Sequence, residues 1–153
     1  MGVLSRISGK YQLIKAMKLY GDYYSEIRST TRSVLHYYVD RKKYSVAIWG
    51  AGLKGKAFLN VIDPQKRFIK YVYDRDEKKF GLVMPTGHPI VDYQNKINQD
   101  VQVVLIMNNN FETEIAGNLS DNGMKVILVN IDSIITGKLT TKEVIKTYGK
   151  EIS

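Results

Sequence analysis

The feature that most constrains this chain is a glycine-rich turn between a short apolar run and a helix-like stretch. Val46–Trp49 is apolar, Gly50, Gly52 and Gly55 follow with G-x-G-x-x-G spacing, and Ala57–Ile62 comes after them. In a βαβ unit the first glycine permits a tight turn, the second lets the backbone approach a pyrophosphate, and the third lets the helix pack on the strand. The start of that helix is an anion site, because its N–H groups and its dipole point at the turn. The spacing alone is weak evidence, but its place between strand and helix predicts a nucleotide-type site.

Composition narrows the class of protein. The chain has 153 residues, 44% of them hydrophobic and 25% charged, which suits a single globular domain. It has no cysteine, so disulfides and thiolate metal sites are excluded. Its apolar runs fall well short of the roughly 20 residues that cross a bilayer, and its first ten residues lack a signal-peptide core. We therefore expect a cytoplasmic protein.

Charge divides the chain into two segments. Residues 1–44 hold nine Lys and Arg against three Asp and Glu, together with seven of the eleven tyrosines, whereas residues 45–153 hold 14 against 12. The predicted boundary lies near Tyr44. We expect residues 1–44 to form a basic, Tyr-rich amphipathic helical arm and residues 45–153 to form a Rossmann-like nucleotide-binding-type domain.

The arm carries apolar or aromatic side chains every three or four residues, which predicts a helix of roughly 25–30 residues with Gly21 as a potential break. These residues are Leu13, Met17, Tyr20, Tyr24, Ile27, Thr31, Val34 and Tyr38. The helix could pack on the α/β body or a partner, lie on an anionic membrane surface, or bind nucleic acid. Packing is favoured, because no RNA-binding signature accompanies the basic residues. We expect removal of residues 1–40 to leave a folded domain with altered self-association or partner binding.

From residue 45 onward, strand and helix patterns alternate. The predicted strands are Val46–Trp49, Ile69–Tyr73, Pro89–Val91, Val101–Met107 and Lys125–Val129. The predicted helices are Leu53–Ile62, Phe111–Leu119, Ser133–Ile135 and Thr141–Tyr148. This alternation predicts an α/β fold, a Rossmann-like, doubly wound, mostly parallel five-stranded sheet in the order 3-2-1-4-5, with an N-terminal helical arm.

A ligand of such a sheet lies beyond the carboxyl ends of the strands, where the winding reverses. The candidate binding residues there are Gly50, Ala51, Gly52, Lys54, Gly55, Asp74, Arg75, Asn108, Asn109 and Asn110. Asp74 follows Gly55 by 19 positions, close to the offset of a carboxylate that holds a ribose diol, although it could simply bond local backbone N–H groups. Lys54 could meet phosphate or be an exposed helix residue. Asn109 and Glu112 alternatively have the spacing of a helix capping box.

Catalytic machinery is not visible in the sequence. His36 and His88 are the only histidines, and no His, Asp and Glu cluster has metal-ligand spacing. We expect His88 to support the turn before the third strand. We predict no catalytic residue and no metal ligand.

Three blocks resemble the C-terminal domain of bacterial sugar C-methyltransferases, which act on nucleotide-linked deoxysugars. They are IWGAGLKGKAFLN, YVYDRDEKKFGLVMP with GHPI, and VLIMNNNFETEI. The matching residues are Gly50, Ala51, Gly52, Lys54, Gly55, Asp74, Arg75, Gly81, Pro85, Pro89, Ile90, Asn110, Phe111, Glu114 and Ile115. Asn109 stands where the family has Trp, and the family's zinc-binding and S-adenosylmethionine-binding parts have no counterpart in these residues.

The resemblance implies a non-catalytic module that binds a nucleotide or nucleotide sugar, because that family's methyl donor and catalytic residues belong to its other parts. Related modules occur in enzymes of bacterial surface-polysaccharide synthesis. NAD and S-adenosylmethionine are less favoured ligands. The implied partner is a catalytic protein or neighbouring domain reached through the arm, or a second copy, and nucleic acid is not expected. A small NAD-linked oxidoreductase or redox sensor, and an unliganded interaction domain, remain open alternatives.

Overall fold

The chain folds around a single five-stranded parallel sheet. A computed structural model describes residues 2–107 and 109–151. The strands are β1 (Val46–Trp49), β2 (Ile69–Tyr73), β3 (Ile90–Val91), β4 (Val103–Ile106) and β5 (Ile127–Asn130). Their order is β3-β2-β1-β4-β5 and every neighbouring pair is parallel. The α/β class and the predicted order 3-2-1-4-5 are confirmed.

Helices precede, connect and follow the strands. They are α1 (Gly2–Glu26), α2 (Arg28–Leu35), a π-helical segment (His36–Arg41), α3 (Leu53–Ile62), α4 (Glu112–Asp121), α5 (Ile131–Thr136) and α6 (Thr141–Thr147). Short 3₁₀ turns occupy Glu77–Lys79, Lys96–Asn98 and Asn109–Phe111. None of the helices in the described ranges has both the length and the apolar character to cross a membrane.

The side chains of each strand alternate between two cores, one on either face of the sheet. Val46 and Ile48 of β1 pack in the larger core, together with buried residues of α2, α3, α5 and α6. Ala47 and Trp49 point to the smaller core on the other face, which α4 covers. All four residues of β1 are buried, as expected for a strand with both faces covered.

The N-terminal segments belong to the larger core. Tyr24 and Leu35 have no exposed surface, Tyr38 is 1% exposed, and all three pack in the same cluster as Ile48 of β1. Burial raises the pKa of Tyr38 to about 12, with the neighbouring Tyr37 and Tyr44 adding to the effect. These contacts argue against the expectation that residues 1–40 can be removed without loss of the fold.

The break between the first two helices lies at Ile27, so the prediction of a break at Gly21 is wrong. Ile27 has φ −107° and ψ 11°, outside the α-helical region, whereas Gly21 continues the helix. Ile27 is 6% exposed, and the break at this position lets both Tyr24 and Val34 reach the core. Core packing therefore determines where the helix breaks. Gly21 does not break it, because an isolated glycine lowers helix stability by only about 1 kcal/mol relative to alanine.

The strand β4 is shorter than predicted because only four of its residues pair with β1. Val46 pairs with Val103 and Trp49 with Ile106, so the β1–β4 ladder has four residues. Beyond Asn109–Phe111, α4 begins at Glu112 with Phe111 as its N-cap and no side-chain cap hydrogen bond. Asn109 is therefore not the N-cap of α4, and Glu112 accepts a hydrogen bond from Asn130 Nδ2 at 3.2 Å.

Candidate functional site

The register of the sheet brings three strand ends to one edge. Trp49 lies opposite both Tyr73 and Ile106, so the residues that follow them, Gly50, Asp74 and Met107, are neighbours. A cleft of about 390 Å³ opens at this edge. It is lined by Tyr20, Trp49, Gly50, Gly52, Leu53, Lys54, Gly55, Asp74, Arg75, Met107, Phe111, Glu114, Ile115 and Asn118.

Two of the three glycines are required by the turn itself. Gly50 has φ +126°, a conformation that other residues rarely adopt, and its N–H donates to the Tyr73 carbonyl at 2.8 Å. A Cβ on Gly55 would lie 1.9 Å from the Gly50 carbonyl oxygen, so only glycine allows α3 to approach the end of β1 this closely. Gly50 and Gly55 are therefore explained by folding alone.

Gly52 differs, because neither its conformation nor its neighbours require glycine. It is the N-cap of α3 with φ −82° and ψ −163°, which any residue can adopt, and an added Cβ would have no heavy atom within 4 Å. Gly52, Leu53 and Lys54 all line the cleft. The N–H groups of the first helical turn lack intrahelical partners, and Gly52 has no side chain to cap them. This backbone is open to an anionic group.

Asp74 fastens the glycine turn to the end of β2. Its Oδ2 accepts the N–H of Ala51 at 2.9 Å and its Oδ1 accepts the N–H of Asp76 at 2.8 Å. Lys79 Nζ lies 3.7 Å from Oδ2. The local backbone role that the sequence left open is thus present. A carboxylate can accept about four hydrogen bonds, so these contacts use most of the capacity of Asp74. The remaining capacity suffices for a ribose hydroxyl.

Arg75, Phe111 and Glu114 contact one another in the lining of the cleft. The Arg75 guanidinium carbon lies 5.4 Å from the centroid of the Phe111 ring, and Arg75 Nη1 donates to Glu114 Oε1 at 3.1 Å. Both charged side chains are exposed, so the ion pair adds little stability. Its effect is to hold the guanidinium over the aromatic ring.

Helix α1 contributes Tyr20 to the rim of the cleft. Lys54 Nζ lies 5.9 Å from the centroid of the Tyr20 ring, a cation–π distance. The Lys54 ammonium therefore contacts α1, and it forms no ion pair with any carboxylate in residues 2–107 and 109–151. Tyr20 was predicted to lie on the apolar face of the N-terminal helix, but no local pattern indicated that it would reach the ligand cleft.

Three asparagines after β4 were predicted to line the ligand site, and the structure describes them only in part. Asn108 lies outside the described residues. Asn109 and Asn110 lie in the 3₁₀ turn before α4, and Asn110 is exposed. Phe111, the last residue of that turn, lines the cleft with Ile115 one helical turn later. The sequence could have indicated Phe111 and Ile115 as site residues, because both belong to the block that resembles the sugar C-methyltransferases.

His88 lies apart from the cleft and is fully buried. Its Nε2 lies 2.9 Å from Asp63 Oδ2, and its Nδ1 lies 2.5 Å from Thr86 Oγ1, so the expected support of the turn before β3 is confirmed. Asp63 also accepts the N–H groups of Arg67, Phe68 and Ile69. Burial by itself would raise the pKa of Asp63, but the bonds from His88 and these N–H groups outweigh it and hold the pKa below its usual value. In residues 2–107 and 109–151, no group of three or more His, Asp or Glu is arranged to hold a metal ion.

Solved structures with a similar fold include enzymes and regulators. UDP-D-quinovosamine 4-dehydrogenase from Vibrio fischeri is 24% identical, with a TM-score of 0.45 over 72% of this chain and 93% of that chain. RSP, a Rex-family repressor, is 18% identical, with a TM-score of 0.43 over 89% and 96%. RSP in complex with beta-NADH is also 18% identical, with a TM-score of 0.42 over 90% and 97%.

Comparison of the sequence with protein families gives a match. No curated protein matches this chain significantly. The family model described as the C-methyltransferase C-terminal domain matches residues 9–129, which include the glycine turn, Asp74 and Phe111. Because the match covers most of the sequence, the chain belongs to the C-methyltransferase C-terminal domain family.

Proposed function

We propose that the cleft binds a nucleotide or nucleotide sugar, and that the chain is a non-catalytic binding module of a sugar-modifying enzyme system. The observation that carries the proposal is Gly52. The fold explains Gly50 and Gly55, but a side chain at position 52 would meet nothing except the cleft. A glycine at that position is useful to a ligand that must approach the backbone closely.

The chemistry of the cleft suits the three parts of a nucleotide. A diphosphate would lie at the N-terminus of α3, within reach of Lys54 if that ammonium leaves the Tyr20 ring. Ribose would lie beside Asp74, at the end of β2. The base would lie against Arg75 and Phe111.

Binding without turnover fits the state of the carboxylates in the cleft. Asp74 is engaged by two backbone N–H groups and Glu114 by Arg75, so neither is poised as a general base.

The proposed setting is the bacterial cytoplasm, with a catalytic partner or neighbouring domain, or a second copy, in contact with the N-terminal helices. The pathway would be surface-polysaccharide or sugar-nucleotide modification.

An unliganded interaction domain is the second candidate. It is favoured by the contacts of Asp74, which are complete enough to serve the turn alone. On that account the cleft would hold no ligand.

A ligand screen with a matched pair of glycine variants separates the two. UDP, dTDP, CDP, NAD and S-adenosylmethionine are tested by thermal shift, where a ligand at 100 times its Kd stabilises the fold by about 2.7 kcal/mol. Gly52→Ala should keep the melting temperature of the free protein and abolish the ligand-induced shift. Gly117→Ala, in an exposed turn of α4 with nothing near its Cβ, is the control and should keep the shift.

Three outcomes would contradict the proposal. Stabilisation by none of the five compounds would favour the interaction domain. Stabilisation by NAD alone would favour the NAD-linked enzyme or sensor. A shift that Gly52→Ala leaves unchanged would place the ligand away from the glycine turn.

A further inference from the structure

A second groove lies between the π-helical segment and α6, and it shares no lining residue with the nucleotide cleft. It encloses about 650 Å³. We call it the basic groove and define it by His36, Tyr37, Arg41, Lys142, Ile145 and Lys146. None of the described residues that line it is acidic.

The carboxylates next to the cations of the basic groove, Asp40 and Glu143, are engaged by other groups. Asp40, the nearest carboxylate in the π-helical segment, bonds His36 at 2.6 Å and Arg67 at 3.0 Å. Glu143 of α6 accepts the Thr140 N–H in the capping box of that helix. Among the residues that the structure describes, Arg41, Lys142 and Lys146 have no ion-pair partner.

The floor of the basic groove is apolar. Tyr37 and Ile145 are both half-buried there. The π-helical segment places two cations against Tyr37, with Arg41 Cζ 6.0 Å and Lys42 Nζ 5.8 Å from the ring centroid. In a π-helix each N–H bonds the carbonyl five residues earlier, and here the Lys42 N–H donates to the Tyr37 carbonyl at 3.0 Å. Arg41 and Lys42, four and five residues after Tyr37, therefore both lie one turn beyond its ring.

We propose that the basic groove docks an acidic amphipathic segment of a partner protein. Apolar side chains of that segment would pack on Tyr37 and Ile145, and its Asp or Glu side chains would meet Arg41, Lys142 and Lys146. Charge complementarity favours this occupant. Cations without ion-pair partners beside apolar side chains match a segment that carries carboxylates beside an apolar stripe.

Nucleic acid fits the same surface less well. Binding of single strands combines a cationic track with aromatic faces on which bases stack. Tyr37 is the single Phe, Tyr or Trp among the described lining residues of the basic groove, so successive bases would have no second aromatic face on which to stack. The proposal does not rest on nucleotide binding, since the two sites lie on different elements.

The test uses the full chain and a fluorescein-labelled helical peptide with Leu on one face and Glu on the others. Its anisotropy is measured against the wild type, against Arg41→Glu/Lys142→Glu/Lys146→Glu, and against a charge-matched control, Lys10→Glu/Lys15→Glu/Lys18→Glu, at three exposed positions of α1. We expect the groove variant to lose roughly tenfold or more in affinity and the control to lose about threefold or less. Binding of the wild type should weaken as salt is added.

Two further probes keep the result interpretable. A peptide with Ser in place of Leu should bind more weakly, because the floor is apolar, and oligothymidine should not compete. Equal losses in the two charge variants, equal binding of the Leu and Ser peptides, absence of peptide binding, or displacement by oligothymidine would each overturn the proposal. If charge reversal lowers the melting temperature, the milder Arg41→Gln/Lys142→Gln/Lys146→Gln variant must still reduce affinity.

Discussion

Gly52 and Gly55 belong to one turn but should tolerate an added methyl group very differently. In Gly55→Ala the new Cβ would lie 1.9 Å from the Gly50 carbonyl oxygen, and backbone would have to move. We expect a loss of about 1–3 kcal/mol or more in the free energy of unfolding, as in other overpacked sites. Gly52→Ala makes the same chemical change in open space and should cost less than about 1 kcal/mol. Urea denaturation of both variants measures the difference, and equal midpoints would contradict the assigned strand, turn and helix.

The buried Asp63 makes stability depend on pH. Its pKa is lower in the folded chain than in the unfolded chain, so the unfolded chain takes up the proton first as the pH falls. The stabilisation is complete above the ordinary value of about 4 and is lost as the pH drops toward the folded pKa. Asp63→Asn should lower the free energy of unfolding at pH 7 by about 1.5–3 kcal/mol and remove this acid sensitivity. Denaturation midpoints of wild type and variant between pH 7 and pH 2.5 test it, and parallel curves would exclude Asp63 as the source.

Site residues were predictable where backbone geometry selects the residue type. Gly50 and Gly55 are recognisable because a positive φ and a close approach each demand glycine. Asp74 was placed at the correct strand end, but its bond to the Ala51 N–H joins two elements, and no local pattern encodes that contact. Tyr20 was missed because the packing of α1 beside the cleft depends on the whole fold.

At the scale of elements, agreement is closest around the glycine turn. The predicted bounds of β1, α3 and β2 match the structure, because the turn defines where one element ends and the next begins. The strand β4 was predicted as Val101–Met107, since its apolar run continues past the residues that pair with β1. Hydrophobicity reports burial, and burial extends beyond the ladder at both ends of β4, where Val101 and Met107 are buried.

The two halves of the N-terminal segment should respond differently to truncation. Residues 9–15 are exposed throughout, whereas Tyr24, Val34, Leu35 and Tyr38 are buried in the larger core. Removing residues 1–15 should leave a cooperative fold. Removing residues 1–40 should abolish it, because each large buried side chain contributes about 1.5–3 kcal/mol and the total stability of a domain is about 5–15 kcal/mol.

Circular dichroism melts of the two truncated chains, with sedimentation to follow association, distinguish these cases. A cooperative melt for the chain lacking residues 1–40 would show that the sheet and its remaining helices suffice. Loss of the fold on removal of residues 1–15 would mean that the exposed part of α1 contributes to the core.

For the whole molecule, charge and packing divide the chain at different places. The basic residues are concentrated in residues 1–44, which suggested an arm separate from the body. Packing instead joins the later part of that segment to the sheet, through Tyr24, Ile27 and Val34. Charge reports the surface and does not show how this segment packs. The strand order and the buried face of the N-terminal helices were predictable, because both follow from hydrophobic periodicity.

At the same scale, the 153-residue chain is expected to bind its ligand without catalysing a reaction. With S-adenosylmethionine and a UDP- or dTDP-linked sugar it should transfer no methyl group detectable by mass spectrometry, and with NADH it should show no loss of nicotinamide absorbance, since both cleft carboxylates are engaged.

Asp74→Ala should weaken UDP binding by roughly ten- to a hundredfold, as for loss of a charge-assisted hydrogen bond of about 1.5–3 kcal/mol. Because Asp74 also holds the Ala51 N–H, 2′-deoxy-UDP is the control: removing that hydroxyl should weaken binding to the wild type but not to Asp74→Ala. Turnover by the isolated chain would contradict the binding-module proposal, and an equal penalty for the deoxy ligand in both proteins would place the ribose away from β2.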